Sequence, residues 1–186
     1  MSLAACATRG HIATPDEMAL LAKTGGLSSA GRITLEGPKG RFSARVVFGA
    51  ARPDSLRIEI PAGTGLRFLL VAKDGQLRAD LPGDDAMFEG PATSEVMNGL
   101  FGIDVAPKDL VGALLGSPPE SLNVFWRFER ALPAQMTIRG SNATRLTLSL
   151  DEAEVQLPRS QAFDFGPPRG SAWTIREMAD RLGLTR

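Results

Sequence analysis

The sequence predicts an α+β fold: an antiparallel β half-barrel of about ten to eleven strands, with a lid of short internal helices and a helix at either end. Three observations predict it. Apolar residues recur at period two over most of residues 27–90 and again over 124–157. Two stretches at 93–101 and 107–116 break that period with helical spacing. Turn signals separate the strands at short intervals, which favours a meander over parallel crossovers. The whole of 14–186 reads as one domain, since no linker-like stretch divides it, and 186 residues suffice for one sizeable core.

The elements follow in order. Residues 7–13 are small and polar and read as a tether. Thr14-Pro15-Asp16-Glu17 is a capping box with proline at the first helical position. It opens a helix whose Met18, Leu21 and Ala22 share a face, ended by Gly25-Gly26. In RFSARVVFGA, Phe42, Ala44, Val46 and Phe48 point one way and Arg41, Ser43 and Arg45 the other. In SLRIEIP, Leu56, Ile58 and Ile60 oppose Arg57 and Glu59. Leu66, Phe68, Leu70 and Ala72 form the next set; Asp74-Gly75 is a two-residue hairpin turn, followed by Leu77, Ala79 and Leu81. A short strand spans Ala86 to Glu89.

The first internal helix carries Val96, Leu100 and Phe101, the second Leu110, Val111, Leu114 and Leu115. Glycines 99, 102 and 112 are expected to weaken the pair, by about 1 kcal/mol each relative to alanine. Strands resume at Val124, Trp126 and Phe128, then Met136 and Ile138, then Leu146, Leu148 and Leu150, then Val155 and Leu157. After Pro158 the chain is irregular to Gly170. Thr174-Ile175-Arg176-Glu177 repeats the capping box and starts a last helix with Ile175, Met178 and Leu182 on one face.

Composition narrows the function classes. The 21 basic and 21 acidic residues cancel, so no global field draws the chain to nucleic acid. No apolar run reaches the ~18 residues of a membrane span. One cysteine cannot form an internal disulfide, and no Cys/His cluster has metal-ligand spacing. The single histidine, His11, sits in the tether, where it offers no base to a nucleophile. Gly63-Thr64-Gly65 lacks the following helix of a dinucleotide loop. Neither an enzyme nor a cofactor is expected.

Two readings of the remaining apolar surface stay open. Either the internal helices simply fill the curl of the sheet, or they are a lid over a cavity that takes an acyl chain. The cavity residues would be Phe42, Val46, Phe48, Ile58, Phe68, Leu70, Trp126 and Phe128; the lid residues Val96, Leu100, Phe101, Leu110 and Leu114. Val47, Leu69, Val71 and Phe125 make the opposite face apolar too, and the terminal helices are expected to cover part of it. Leu3-Ala4-Ala5-Cys6 matches a lipobox at all four positions, though a leftover small residue fits Cys6 as well.

From Ser28 to about Leu157 the chain resembles the LolA/LolB-like superfamily of bacterial lipoprotein carriers and receptors, and the LolB-like lipoproteins most. SSAGRITLEG, RFSARVVFGAARPDSLRIEIPAGTG, LRFLLVAKDGQLRADLPGDDAMFEG and LFGIDVAPKDLVGALLG carry the resemblance, through their order more than through any one of them. It implies a half-barrel lidded by helices, an apolar lipid cavity and no catalysis. It also implies lipidation of Cys6, anchorage to the outer membrane facing the periplasm, and an acyl chain of a lipoprotein or lipid as ligand, with a periplasmic carrier as possible partner. Ala62 stands where LolB receptors carry a bulky apolar loop tip for the membrane, so receptor activity proper does not follow from the resemblance. The competing class is a docking module of the envelope with a filled core. A void of roughly several hundred Å³ would mark the carrier and a filled interior the docking module.

Overall fold

In a computed structural model the chain is described over residues 10–38, 40–63, 65–130, 132–140, 143–154, 158–168 and 170–182. Cys6 and the expected strand at Val155 and Leu157 fall outside the described residues.

One open eleven-stranded sheet runs through the molecule. Its strands are β1 (His11–Ile12), β2 (Gly26–Gly37), β3 (Gly40–Ala51), β4 (Ser55–Ala62), β5 (Gly65–Lys73), β6 (Gln76–Leu81), β7 (Ala86–Pro91), β8 (Asn123–Glu129), β9 (Leu132–Arg139), β10 (Arg145–Glu154) and β11 (Ser171–Ala172). Four helices accompany them: α1 (Pro15–Ala22), α2 (Ser94–Phe101), α3 (Pro107–Leu114) and α4 (Ile175–Leu182). The strand order is β1-β8-β9-β10-β2-β3-β4-β5-β6-β7-β11. Every neighbouring pair is antiparallel except β11 on β7.

The decisive join is β10 against β2, from Arg145 opposite Glu36 to Glu154 opposite Ser28. It brings the strands that follow the internal helices back beside the first long strand. Two short meanders thereby become one sheet. At the join, an ideal Cβ on Gly31 would lie 2.0 Å from the carbonyl oxygen of Ser149, next to a register shift between Leu150 and Glu152. Only a residue without a side chain lets the strands approach so closely there.

Period two sorts the sheet as expected. Val46, Phe48, Ile58, Phe68, Leu70, Trp126 and Phe128 are buried on the concave face. The internal helices lie against that face: Val96, Leu100, Phe101, Leu110 and Leu114 are all buried in the same core. Phe101 of α2 meets Phe68 edge-on, with ring centroids 5.7 Å apart.

Both capping boxes form. Thr14 and Glu17 exchange bonds at the start of α1, and the Thr14 backbone N–H holds the Glu17 carboxyl below its ordinary range. Thr174 and Glu177 do the same at α4, with the same effect on Glu177. Arg181, in the last turn of α4, donates twice to Asp84 at 2.8 and 2.6 Å, tying α4 to the β6–β7 turn. That hydrogen-bonded pair pushes Asp84 down and Arg181 up.

Four sequence expectations need correcting. His11 and Ile12 are not tether: they pair with Phe128 and Arg127 as an edge strand. The helix α1 ends at Ala22 with Lys23 as its cap, and Gly26 already belongs to β2. The internal glycines do not merely weaken their helices. Gly102 caps α2 in a left-handed conformation (φ 69°), a Cβ on Gly99 would strike the Ile175 side chain of α4 at 2.4 Å, and one on Gly112 would meet the Ser117 carbonyl at 2.7 Å.

The fourth correction concerns the convex face. The terminal helices do not cover it. α4 packs against α2, and α1 lies beside the turn that ends α3, where Gly116 approaches Met18, Leu21 and Ala22. A strap made of residues 158–166 covers the β4–β6 half instead. Phe163 is buried with its ring over Gly49, and Arg57 donates to the Ala162 carbonyl at 3.0 Å. Arg78, only 7% exposed, pairs with Glu89, donates to the carbonyls of Phe165 and Gly166, and lies over the Phe165 ring. An otherwise unsatisfiable cation is thus fully engaged.

Candidate apolar site

Two pairs of strands that are distant in sequence make the site possible. β3 and β4 bring Val46, Phe48 and Ile58 to the middle of the concave face. β9 and β10, arriving on the far side of β2, add Met136, Leu146 and Leu148. Leu110 and Leu114, one turn apart on α3, descend onto this floor. Between helix and sheet lies a crevice lined only by apolar side chains.

The crevice is small. Its cavity volume is about 20 Å³, enough for about one water and far below the ~300–1,000 Å³ of a small-molecule pocket. A water here would find no polar partner, so the space favours apolar atoms.

Placement of the expected cavity residues is uneven. Val46, Phe48 and Ile58 line the crevice together with Leu110 and Leu114 of the lid set. Phe68 and Leu70 lie on the same face but outside the crevice, Phe68 beneath Phe101 of α2. Trp126 and Phe128 are buried beside α3, their rings 6.3 Å apart. Phe42 is only half-buried and packs at the rim of the core. Val96, Leu100 and Phe101 hold α2 to the core without reaching the crevice. Ala62 is exposed at the β4–β5 hairpin. Ile33, Leu56, Met136, Leu146 and Leu148 line the crevice and were not among the expected site residues. Alternation does put them on one face of their strands. What alternation lacks is the β10–β2 pairing that brings Met136, Leu146 and Leu148 alongside β2.

Two polar anchors control the position of α3. Trp126 Nε1 donates to the Ala113 carbonyl at 3.0 Å inside the core. Arg52, at the end of β3, donates to the carbonyls of Leu115, Ala22 and Thr24 at 2.9, 3.0 and 3.2 Å, and to the Ser117 hydroxyl. One guanidinium therefore ties the end of α3 to the end of α1. At the other end of α3, Ala106 supplies no side-chain cap, and the linker 103–106 has no regular structure. The helix is pinned at its C-terminal end; at its N-terminal end, among the described residues, buried apolar side chains such as Ile103, Val105 and Leu110 make the contact with the core.

His11 is exposed, its Nε2 2.9 Å from the Glu17 carboxylate. Among the described residues no cluster of three or more His, Cys, Asp or Glu side chains could hold a metal, and no helix is long and apolar enough to cross a membrane.

No family model matches the chain, and no curated protein matches it. Among solved structures, it is similar to a domain described as an outer membrane lipoprotein-sorting protein from Vibrio parahaemolyticus. The two are 10% identical, with 79% of this chain and 93% of that one covered and a TM-score of 0.43. At that level nothing about function passes from one chain to the other.

Proposed function

We propose that this protein binds an acyl chain of a lipid or lipoprotein, without catalysis, in the space that α3 occupies in this closed form. The observation that carries the reading is the wholly apolar crevice between α3 and the concave strands, beneath a helix anchored at one end only. In this reading α3 swings about its Trp126–Arg52 end, and Leu110 and Leu114 give up their places to the chain. The matching order of motifs in the LolA/LolB-like superfamily supports the same reading. A lipid anchor at Cys6, on the periplasmic face of the outer membrane, belongs to it, as does exchange with a periplasmic lipoprotein carrier.

A cavity of about 20 Å³ is the filled interior expected of the competing reading, a docking module of the envelope whose core never opens. The carrier reading therefore requires α3 to move. Hydrogen exchange separates the two. If the site opens, amides of α3 exchange well before those of 66–72 in β5, and adding a fatty acid or lipopeptide slows them. Protection of α3 equal to that of β5, unchanged by ligand, identifies the docking module.

The anchor is tested separately with the precursor expressed in a bacterial envelope. Cys6→Ser should shift the protein from the membrane fraction to the soluble periplasm. Unchanged fractionation rules out the anchor. A lipoprotein's several chains hold firmly where one alone binds only marginally.

A further inference from the structure

Among the described residues the strap covers only the β4–β6 half of the convex face, and the other half has an uneven composition. Directly opposed residues of antiparallel strands share a face. The register therefore sets Arg127, Gln135, Ser149, Arg32 and Arg45 in one row across β8, β9, β10, β2 and β3. A second row, four residues away, runs Asn123, Arg139, Arg145, Glu36 and Arg41, with Phe125, Thr137, Thr147, Thr34 and Ser43 between the two. All six arginines are exposed.

Their neutralisation is incomplete. Glu36 is the acid within the rows, 3.4 Å from Arg41 and 3.9 Å from Arg145. Glu129 and Asp151 lie at the margins, in β8 and after Ser149 in β10, and β10 continues with Glu152 and Glu154 at positions opposite Ala30 and Ser28 on the same face. Glu59, opposite Val47, is engaged by Arg57. Among the described residues Arg32, Arg45 and Arg127 have no ion pair. Six arginines against one acid make the two rows a locally positive patch, bounded along β10 by acids.

The same face carries most of the exposed apolar bulk. Of five large apolar side chains well exposed among the described residues, Ile12, Val47, Phe125 and Leu132 lie 75, 46, 46 and 50% open. Their strand partners are Arg127, Glu59 (and Ala30), Thr137 and Glu129, which puts all four on the convex side. Arg139 rests over the Phe125 ring at 5.0 Å. Leu20, on α1, is the fifth.

We propose that this face docks on an anionic lipid bilayer. Guanidinium groups bind lipid phosphates, and aromatic and aliphatic side chains set among them sit at headgroup level. Charge complementarity selects an anionic surface. The dispersal of the apolar groups selects a fluid one, since a protein partner's anchors converge on a central desolvated patch. The proposal stands without the acyl-chain reading, because it uses neither the crevice nor α3.

The test uses the unacylated full chain carrying Cys6→Ser and vesicle co-sedimentation. At low salt the protein should bind vesicles of phosphatidylcholine mixed with phosphatidylglycerol and ignore pure phosphatidylcholine. Roughly 1 M salt, with a screening length of about 3 Å, should release it. The triple variant Arg32→Gln/Arg45→Gln/Arg127→Gln should weaken partitioning about a hundredfold with an unchanged melting temperature. A control with Lys108→Gln/Arg176→Gln, on α3 and α4, should bind like the parent. Three results overturn the proposal: no binding to anionic vesicles, equal binding to both vesicle types, or equal weakening by the control. Soluble polyglutamate captured through the three arginines while vesicles are not would assign the face to an acidic protein instead.

Discussion

Trp126→Ala is expected to cost about 3–5 kcal/mol of folding stability, the range for emptying a large aromatic site. Trp126 is 3% exposed, meets Phe128 edge-on, and gives its one polar hydrogen to the Ala113 carbonyl of α3. Urea unfolding followed by the remaining Trp173 would read the loss as a lower midpoint at nearly constant slope. Trp126→Phe separates burial from anchoring. It keeps most of the apolar contact and removes the donor, so its global cost should be about 1 kcal/mol. Its local effect should be larger, with the last turn of α3 exchanging its amides faster than the sheet does. If Phe costs as much as Ala, the hydrogen bond rather than the ring holds α3 to the sheet, and opening must take another route.

The second large effect lies at the seam between the two halves of the sheet. Gly31→Ala should destabilise by about 3 kcal/mol, at the upper end of what overpacking costs. The new Cβ would sit 2.0 Å from the Ser149 oxygen, 3.0 Å from its carbonyl carbon and 3.2 Å from Leu150 Cα. All three are backbone atoms that cannot rotate away, so β2 and β10 must part. Gly83→Ala is the matched control: its Cβ meets nothing within 4 Å, and its effect should stay within about 0.5 kcal/mol. Equal thermal melting of the two variants would show that the seam yields more easily than its geometry implies. Because Ile33 on β2 and Leu146 and Leu148 on β10 line the crevice, a parted seam should also change apolar-probe binding there.

Much of the architecture was legible because strand alternation and capping chemistry are local. Phe42 to Phe48 alternate over four residues of one face, and Thr14 and Glu17 form a box within one turn. The two internal helices announce themselves by changing the period. What was not legible depends on long-range pairing. Nothing near Arg145 says that β10 will lie beside β2, and that pairing brings Leu146, Leu148 and Ile33 into one crevice. Arg52 and Arg78 look like any solvent-facing strand arginines in sequence. Their roles appear only once the ends of α1 and α3 meet Arg52 and the strap meets Arg78. The strap itself has no periodicity that would assign it to a face. The convex arginines do not stand out in sequence because a single strand shows only one or two of them. The clustering arises from stacking five strands in register.

The sheet's two outer strands, His11–Ile12 and Ser171–Ala172, are each two residues long. An open sheet of eleven strands would otherwise offer long rows of unpaired amides and carbonyls at both margins, templates on which a second copy could polymerise. Here short segments from opposite ends of the chain close those margins in different senses, one antiparallel on β8 and one parallel on β7. Two residues satisfy part of the inner strand while presenting too short an outer row for another chain to register on. The protein can therefore expose an apolar, arginine-lined sheet face to its surroundings and still resist growing edge to edge into fibres.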